Sequence, residues 1–121
     1  MSFRVEPLTG GPYEGKGPAF NLVIGSKVIA SGGFYILWPG VAEAWLLVSP
    51  DVLLHPVRFV KEVRGLFLDI DKTGKMTRIQ ATVKVHDKRA VKFLTFLGFK
   101  IEGCMAKFGP DGTDHYMMGR V

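Results

Sequence analysis

The chain has 121 residues, 47% of them hydrophobic and 22% charged, and carries a net charge of +5. This length and balance fit one folded domain around a single core, and they exclude a disordered chain or a pair of domains. No apolar run reaches the ~20 residues that cross a bilayer, and the first residues lack the charged-then-apolar pattern of a signal peptide, so no membrane partner and a cytoplasmic location are expected.

Phe3 to Thr9 reads as a short first strand. It runs into a Gly/Pro-rich segment, Gly10 to Pro18, whose four glycines and two prolines rule out a helix. Residues 19–50 read as a β-meander. Phe20 to Ile24 is followed by a tight Gly25-Ser26 turn and a return strand from Lys27 to Ala30. Gly32-Gly33 suggests a bulge or bend before Phe34 to Trp38 continue that strand. Pro39-Gly40 then turns the chain into Glu43 to Val48, and Ser49-Pro50 closes the meander.

Residues 53–72 are the longest helical candidate, with Pro56 tolerated in the first turn. Val57, Val60, Val63, Phe67 and Ile70 fall mostly on one face. Gly65 in its middle costs ~1 kcal/mol relative to Ala, so tight packing or a bend is expected there. Over residues 77–85, Arg78, Gln80, Thr82 and Lys84 alternate with Ile79, Ala81, Val83 and Val85. That period of two predicts a strand with one wet or ligand-facing side. Residues 87–98 form a second helix. Asp87 is its N-cap, Ala90, Val91, Phe93, Leu94 and Leu97 its apolar stripe, and Gly98 its left-handed C-cap. Residues 99–121 end as a β-hairpin, Lys100 to Lys107 and His115 to Gly119 flanking the Gly109-Pro110-Asp111-Gly112 turn. This order predicts an α+β domain: a mainly antiparallel sheet of six to seven strands with two main helices.

The one cysteine, Cys104, lies on a predicted strand and is expected to be a buried small hydrophobe. The cations are spread along the chain, with a mild concentration at Lys84, Lys88, Arg89 and Lys92 that reads as a solvated helix face. Without clustered aromatics this argues against a nucleic-acid partner. His55, His86 and His115 have no metal-ligand spacing, so no metal is expected. Trp38 and Trp45, flanking Pro39-Gly40, read as packing residues.

The ending of the chain resembles the C-terminal half of the GNAT N-acyltransferase family. The residues that carry the likeness are Asp87 as cap, Ala90 in the first turn, Leu97-Gly98-Phe99, and Lys100-Ile101-Glu102-Gly103. Upstream, Ala42 to Pro50 looks like the family's central strand and the start of its cofactor loop. The resemblance implies a GNAT-like fold in which the strand of Glu43 to Val48 splays from that of residues 77–85. It also implies acetyl-CoA as the acyl cofactor and a small-molecule or protein amine as acceptor. Leu47, Val48 and Ser49 would then hold the pantetheine arm, with Arg58 and Asp87 as further cofactor contacts. Glu43 matches the position of a carboxylate that draws a proton from the amine. The general acid of many relatives, a tyrosine, is matched by Leu94, and Tyr116 is the nearby substitute.

Two departures stand out. The usual basic, glycine-rich loop after the central strand is replaced by Ser49 to Arg58, which has no glycine, carries Asp51, and loses two N–H donors to Pro50 and Pro56. The two helices that usually follow the first strand are replaced by Gly10 to Pro18. The acceptor site is therefore expected to be open, or covered by a second copy or another protein. In both respects, and in Phe93-Leu94-Thr95-Phe96-Leu97-Gly98, the chain resembles short GNAT-like proteins of tailed bacteriophages, including internal virion proteins. Two functions follow from the likeness: an acetyl-CoA-dependent N-acetyltransferase acting on a primary amine, or a catalytically inactive phage protein of the same fold with a virion-assembly role.

Overall fold

Ile79, Ala81 and Val83 are buried while the residues between them stay in contact with solvent. This alternation gives the inner strand β5 (Arg78–Lys84) one face in the core and one toward solvent. The computed structural model describes residues 3–9 and 15–121. The other strands are β1 (Phe3–Pro7), β2 (Ala19–Ile24), β3 (Lys27–Trp38), β4 (Val41–Val48), β6 (Lys100–Met105) and β7 (His115–Arg120). The helices are α1 (Pro56–Thr73) and α2 (Lys88–Phe96). All seven strands form one sheet in the order β1-β2-β3-β4-β5-β7-β6. Within it β4 and β5 pair parallel and the other neighbours antiparallel. The expected α+β class, strand number and helix pair all hold.

Both helices pack on the same face of the sheet. The Phe59 ring of α1 stacks on Phe93 of α2 with centroids 5.4 Å apart, and Phe67 meets Phe34 and Phe99 edge to face. Such pairs add to the area they bury. Together with Leu22, Ala42, Ile79 and Met118 they make one continuous core. At the far edge of this layer Arg120 donates to both carboxylate oxygens of Asp71, at 2.7 and 2.6 Å, while its guanidinium lies over the Phe67 ring. The last strand is thereby tied to the first helix.

Several expectations need correction. α1 does not begin at residue 53. A short 3₁₀ turn, Pro50–Leu54, comes first, and Pro56 takes the first helical position, where its missing N–H costs nothing. Val57 is 73% exposed, so the buried stripe is Phe59, Val63 and Phe67, one helical turn apart. Gly65 is not tightly packed, since a Cβ there would meet nothing within 4 Å. β3 runs without interruption through Gly32-Gly33, and the register slips lie instead at Leu22/Val23 and Ile36/Trp38. Glycine is needed at residue 33 because a Cβ would collide with the backbone of Pro18 and Ala19, laid across the strand. Cys104 and Trp38 are exposed rather than buried. β6 is the outermost strand of the sheet, and its residues Lys100 to Cys104 are all exposed. β6 also ends at Met105, short of Lys107, while β7 extends to Arg120.

The caps behave as the residue types require. Asp87 Oδ1 accepts from the Ala90 amide at 3.1 Å. Gly98, at φ 100°, turns the chain from α2 into β6 in a conformation other residues avoid. Of the Gly10 to Pro18 stretch, residues 10–14 lie outside the described residues. Lys16 and Pro18 accept through their carbonyls from the amides of Ile36 and Phe34, so this end of the stretch continues the edge of β2 along β3.

Candidate active site

Parallel β4 and β5 are paired over three residues only: Val41 with Arg78, Ala42 with Ile79, and Glu43 with Gln80. Beyond Glu43 the strands part. β4 continues to Val48 held on one side by β3, and β5 to Lys84 held on one side by β7. The parting opens into a cleft of about 560 Å³. Ala44 and Ala81 flank its narrow end, Leu47, Val48, Lys84 and Asp87 its wide end, and Val63, Phe67, Phe93 and Leu94 close the helix side. Small side chains at the narrow end keep the gap open. Facing strand edges that have lost each other as partners leave backbone donors and acceptors that require another partner.

Glu43 stands at the point of parting, half-buried and lining the cleft. The Nε2 of Gln80 donates to its Oε1 at 3.2 Å, and the Oε1 of Gln80 accepts from Arg78 Nε at 3.1 Å. Arg78 also makes a two-pronged bridge to Glu102, with one arm at 2.8 Å. That bridge holds the Glu102 carboxyl below its ordinary value. It passes over Gly119, whose hydrogen leaves room that a Cβ would take from the Glu102 carboxylate. A chain of charge-assisted contacts therefore orients Glu43 from three strands away. The polar face of β5 pointed to Gln80 and Arg78; Glu102 was legible only within the Lys100 to Gly103 motif, and the close approach over Gly119 carried no sequence signal.

The other expected site residues are divided. Leu47 and Val48 line the wide end, as does Asp87, while Leu94 lines the helix-side wall. Ser49 lies just beyond, and its hydroxyl is already engaged: it accepts from the Asp51 amide at 3.3 Å and donates to the Asp51 carboxylate at 3.2 Å. Arg58 does not reach the cleft. Its guanidinium bridges Glu62 at 3.3 Å and lies over the Phe3 ring. Tyr116 pairs with Val83, on the helix side of the sheet, and is not among the cleft-lining residues. The residue before it, His115, is. Its Nε2 lies 3.3 Å from Thr113 Oγ1, which donates to Asp111, and its Nδ1 is buried without a partner. A shift of one residue along a strand exchanges faces, which sequence could not assign at this hairpin. A smaller hollow, about 380 Å³ beside Arg78 and Arg120, presents guanidiniums already spent on Glu102 and Asp71. No group of three or more potential ligands that could hold a metal occurs among the described residues.

A mainly antiparallel sheet with two parallel central strands that splay, and both crossover helices on one face, defines the GNAT acyl-CoA N-acyltransferase fold. Solved structures agree. An "IAA acetyltransferase" from Bacillus cereus superposes with TM-score 0.80 at 13% identity, covering 98% of this chain and 99% of its own. A GNAT-family acetyltransferase from Streptococcus pneumoniae gives 0.74 at 15%, covering 87% of this chain, which spans 66% of that one. A microcin C7 self-immunity acetyltransferase, solved with acetyl-CoA and AMP, gives 0.74 at 16%, covering 88% of this chain and 61% of its own. The sequence matches no family model and no curated protein.

Proposed function

We propose that the protein transfers an acyl group from a pantetheine thioester, acetyl-CoA in the simplest case, to a primary amine. The observation that carries this reading is the parting of β4 from β5 after three paired residues, with a carboxylate at its apex. A slender arm bearing amide groups can lie between the two strand edges and pair with both, as a third strand would. In the reaction the amine nitrogen bonds to the thioester carbonyl carbon, the carbon–sulfur bond breaks, and one proton passes from nitrogen to the departing sulfur. Glu43 is the group that would take the proton from the amine. Its contact with Gln80 fixes one oxygen and leaves the other for substrate or water. Backbone N–H groups at the end of β4 would polarise the carbonyl.

A second reading is favoured by the turn after β4. There Pro50, Asp51 and the 3₁₀ ladder leave little for a nucleotide cofactor to hold, as in a relative that keeps the fold for protein contacts, the phage-like assembly role among them. The two readings separate in one measurement. A ligand at a hundredfold excess over its Kd stabilises by about 2.7 kcal/mol, several degrees in a domain this size. Acetyl-CoA at millimolar concentration should therefore raise the melting temperature, and titrations that stay flat up to that level with acetyl-CoA and with pantetheine thioesters, free or carried on a protein, would remove the transferase reading and leave the scaffold.

A further inference from the structure

An arm lying in the cleft leaves at its wide end, where β4 stops at Val48 and the chain enters the turn to α1. If the donor is a nucleotide thioester, its diphosphate arrives there, and anions at a helix start are held by free N–H groups and cations. The described residues offer few of either. The Ser49 amide donates to the Ile29 carbonyl, the Asp51 amide to the Ser49 hydroxyl, and the Val52 amide to the Ser49 carbonyl. The 3₁₀ ladder takes the amides of Leu53 and Leu54, and the His55 amide donates to Val52. Pro50 and Pro56 have none. Phe59 donates back to His55, so only Val57 and Arg58 remain as first-turn donors.

Charge and polarity run the same way. Asp51 is held ionised by Lys27, bridged at 2.8 Å, and Arg58 is committed to Glu62 and Phe3. Val48 at the wide end and Leu53, Leu54 and Val57 in the turn that follows are apolar and 55%, 62%, 73% and 73% exposed. Lys84 lines the wide end but is bridged to Asp111 at 3.1 Å, and Lys88, Arg89 and Lys92 are exposed, so they would act only as solvent-screened charges.

Resting on the transferase reading, we infer that this site takes its acyl donor by the pantetheine arm alone and gains nothing from the nucleotide. The donor class is acyl-pantetheine, free or carried on a protein, rather than acyl-CoA in particular. Calorimetric titration of the intact chain with CoA, with pantetheine and with a phosphopantetheinylated acyl carrier protein tests this. Pantetheine and CoA are expected to bind within about threefold of each other, with little change for either between low and high salt. Tight binding of the carrier protein would identify a protein-borne donor; no binding of it, with pantetheine retained, would identify a free one. Ala44→Leu, which narrows the parting, should weaken CoA and pantetheine together by more than about tenfold while leaving the melting temperature within about 2 °C. CoA binding more than about tenfold tighter than pantetheine would overturn the inference while the transferase reading stood. No binding of any of the three would remove both.

Discussion

Glu43 draws its interest from its neighbours. It is one carboxylate on a strand of otherwise apolar residues, half-buried and tied through Gln80 and Arg78 to Glu102. Glu43→Gln preserves the shape and, by turning its amide, the contact with Gln80, so the melting temperature should move by less than about 1 °C. Loss of a positioned base costs roughly a hundredfold or more in turnover. Assayed against a panel of primary amines, the variant should lose kcat by that factor with the donor KM unchanged. A variant with full activity would show that Glu43 is only a strand charge. His115 is the other residue to watch, since its buried Nδ1 has no partner and its ring lines the cleft.

At the scale of elements, the site exists because β4 and β5 are parallel neighbours that stop pairing early. β3 and β7 hold their outer edges along most of their length, so the gap between them does not collapse. The helix that covers the gap is not optimised. Gly65 sits inside α1 with open space where a side chain would go, and glycine in a helix interior costs about 0.5–1 kcal/mol relative to alanine. Gly65→Ala is therefore expected to raise the melting temperature by about 2–5 °C in calorimetry, with acetyl-CoA binding unchanged. A fall would mean that α1 needs the glycine for a bend.

Across the whole molecule, half-exposed ion pairs join elements distant in sequence: Lys27 to Asp51, Arg120 to Asp71, Arg78 to Glu102, and Lys84 to Asp111. In each, the basic partner or a nearby hydroxyl holds the carboxyl below its ordinary value; for Asp71 the Arg120 hydrogen bonds are the main cause, and for Asp111 the Thr113 hydroxyl, then Lys84. A carboxyl depressed in the folded state adds stability above its unfolded value, and that stability is lost as pH falls through the folded value. The denaturant midpoint should be flat above about pH 5 and decline from about pH 4 downward. High salt should shrink the decline, because these pairs face water. Asp71→Asn should make the curve shallower, and a midpoint unchanged down to about pH 3 would show that the bridges contribute nothing.

Local patterns in the sequence determined what depends on neighbours in the chain. The Asp87 cap, the Gly98 turn, the alternation along Arg78 to Lys84 and the closing hairpin all follow from residue type and spacing, and with them the class of fold. Strand order decided the rest. Alternation assigns two faces to a strand but not which is covered, so Cys104 lies open on the outermost strand. For the same reason His115 rather than Tyr116 lines the cleft. Hydrogen bonds formed across the fold also fixed where Arg58 and the Ser49 hydroxyl are spent. The sheet's partner order and the competition for each donor are properties of the assembled chain, and no single stretch of residues contains them.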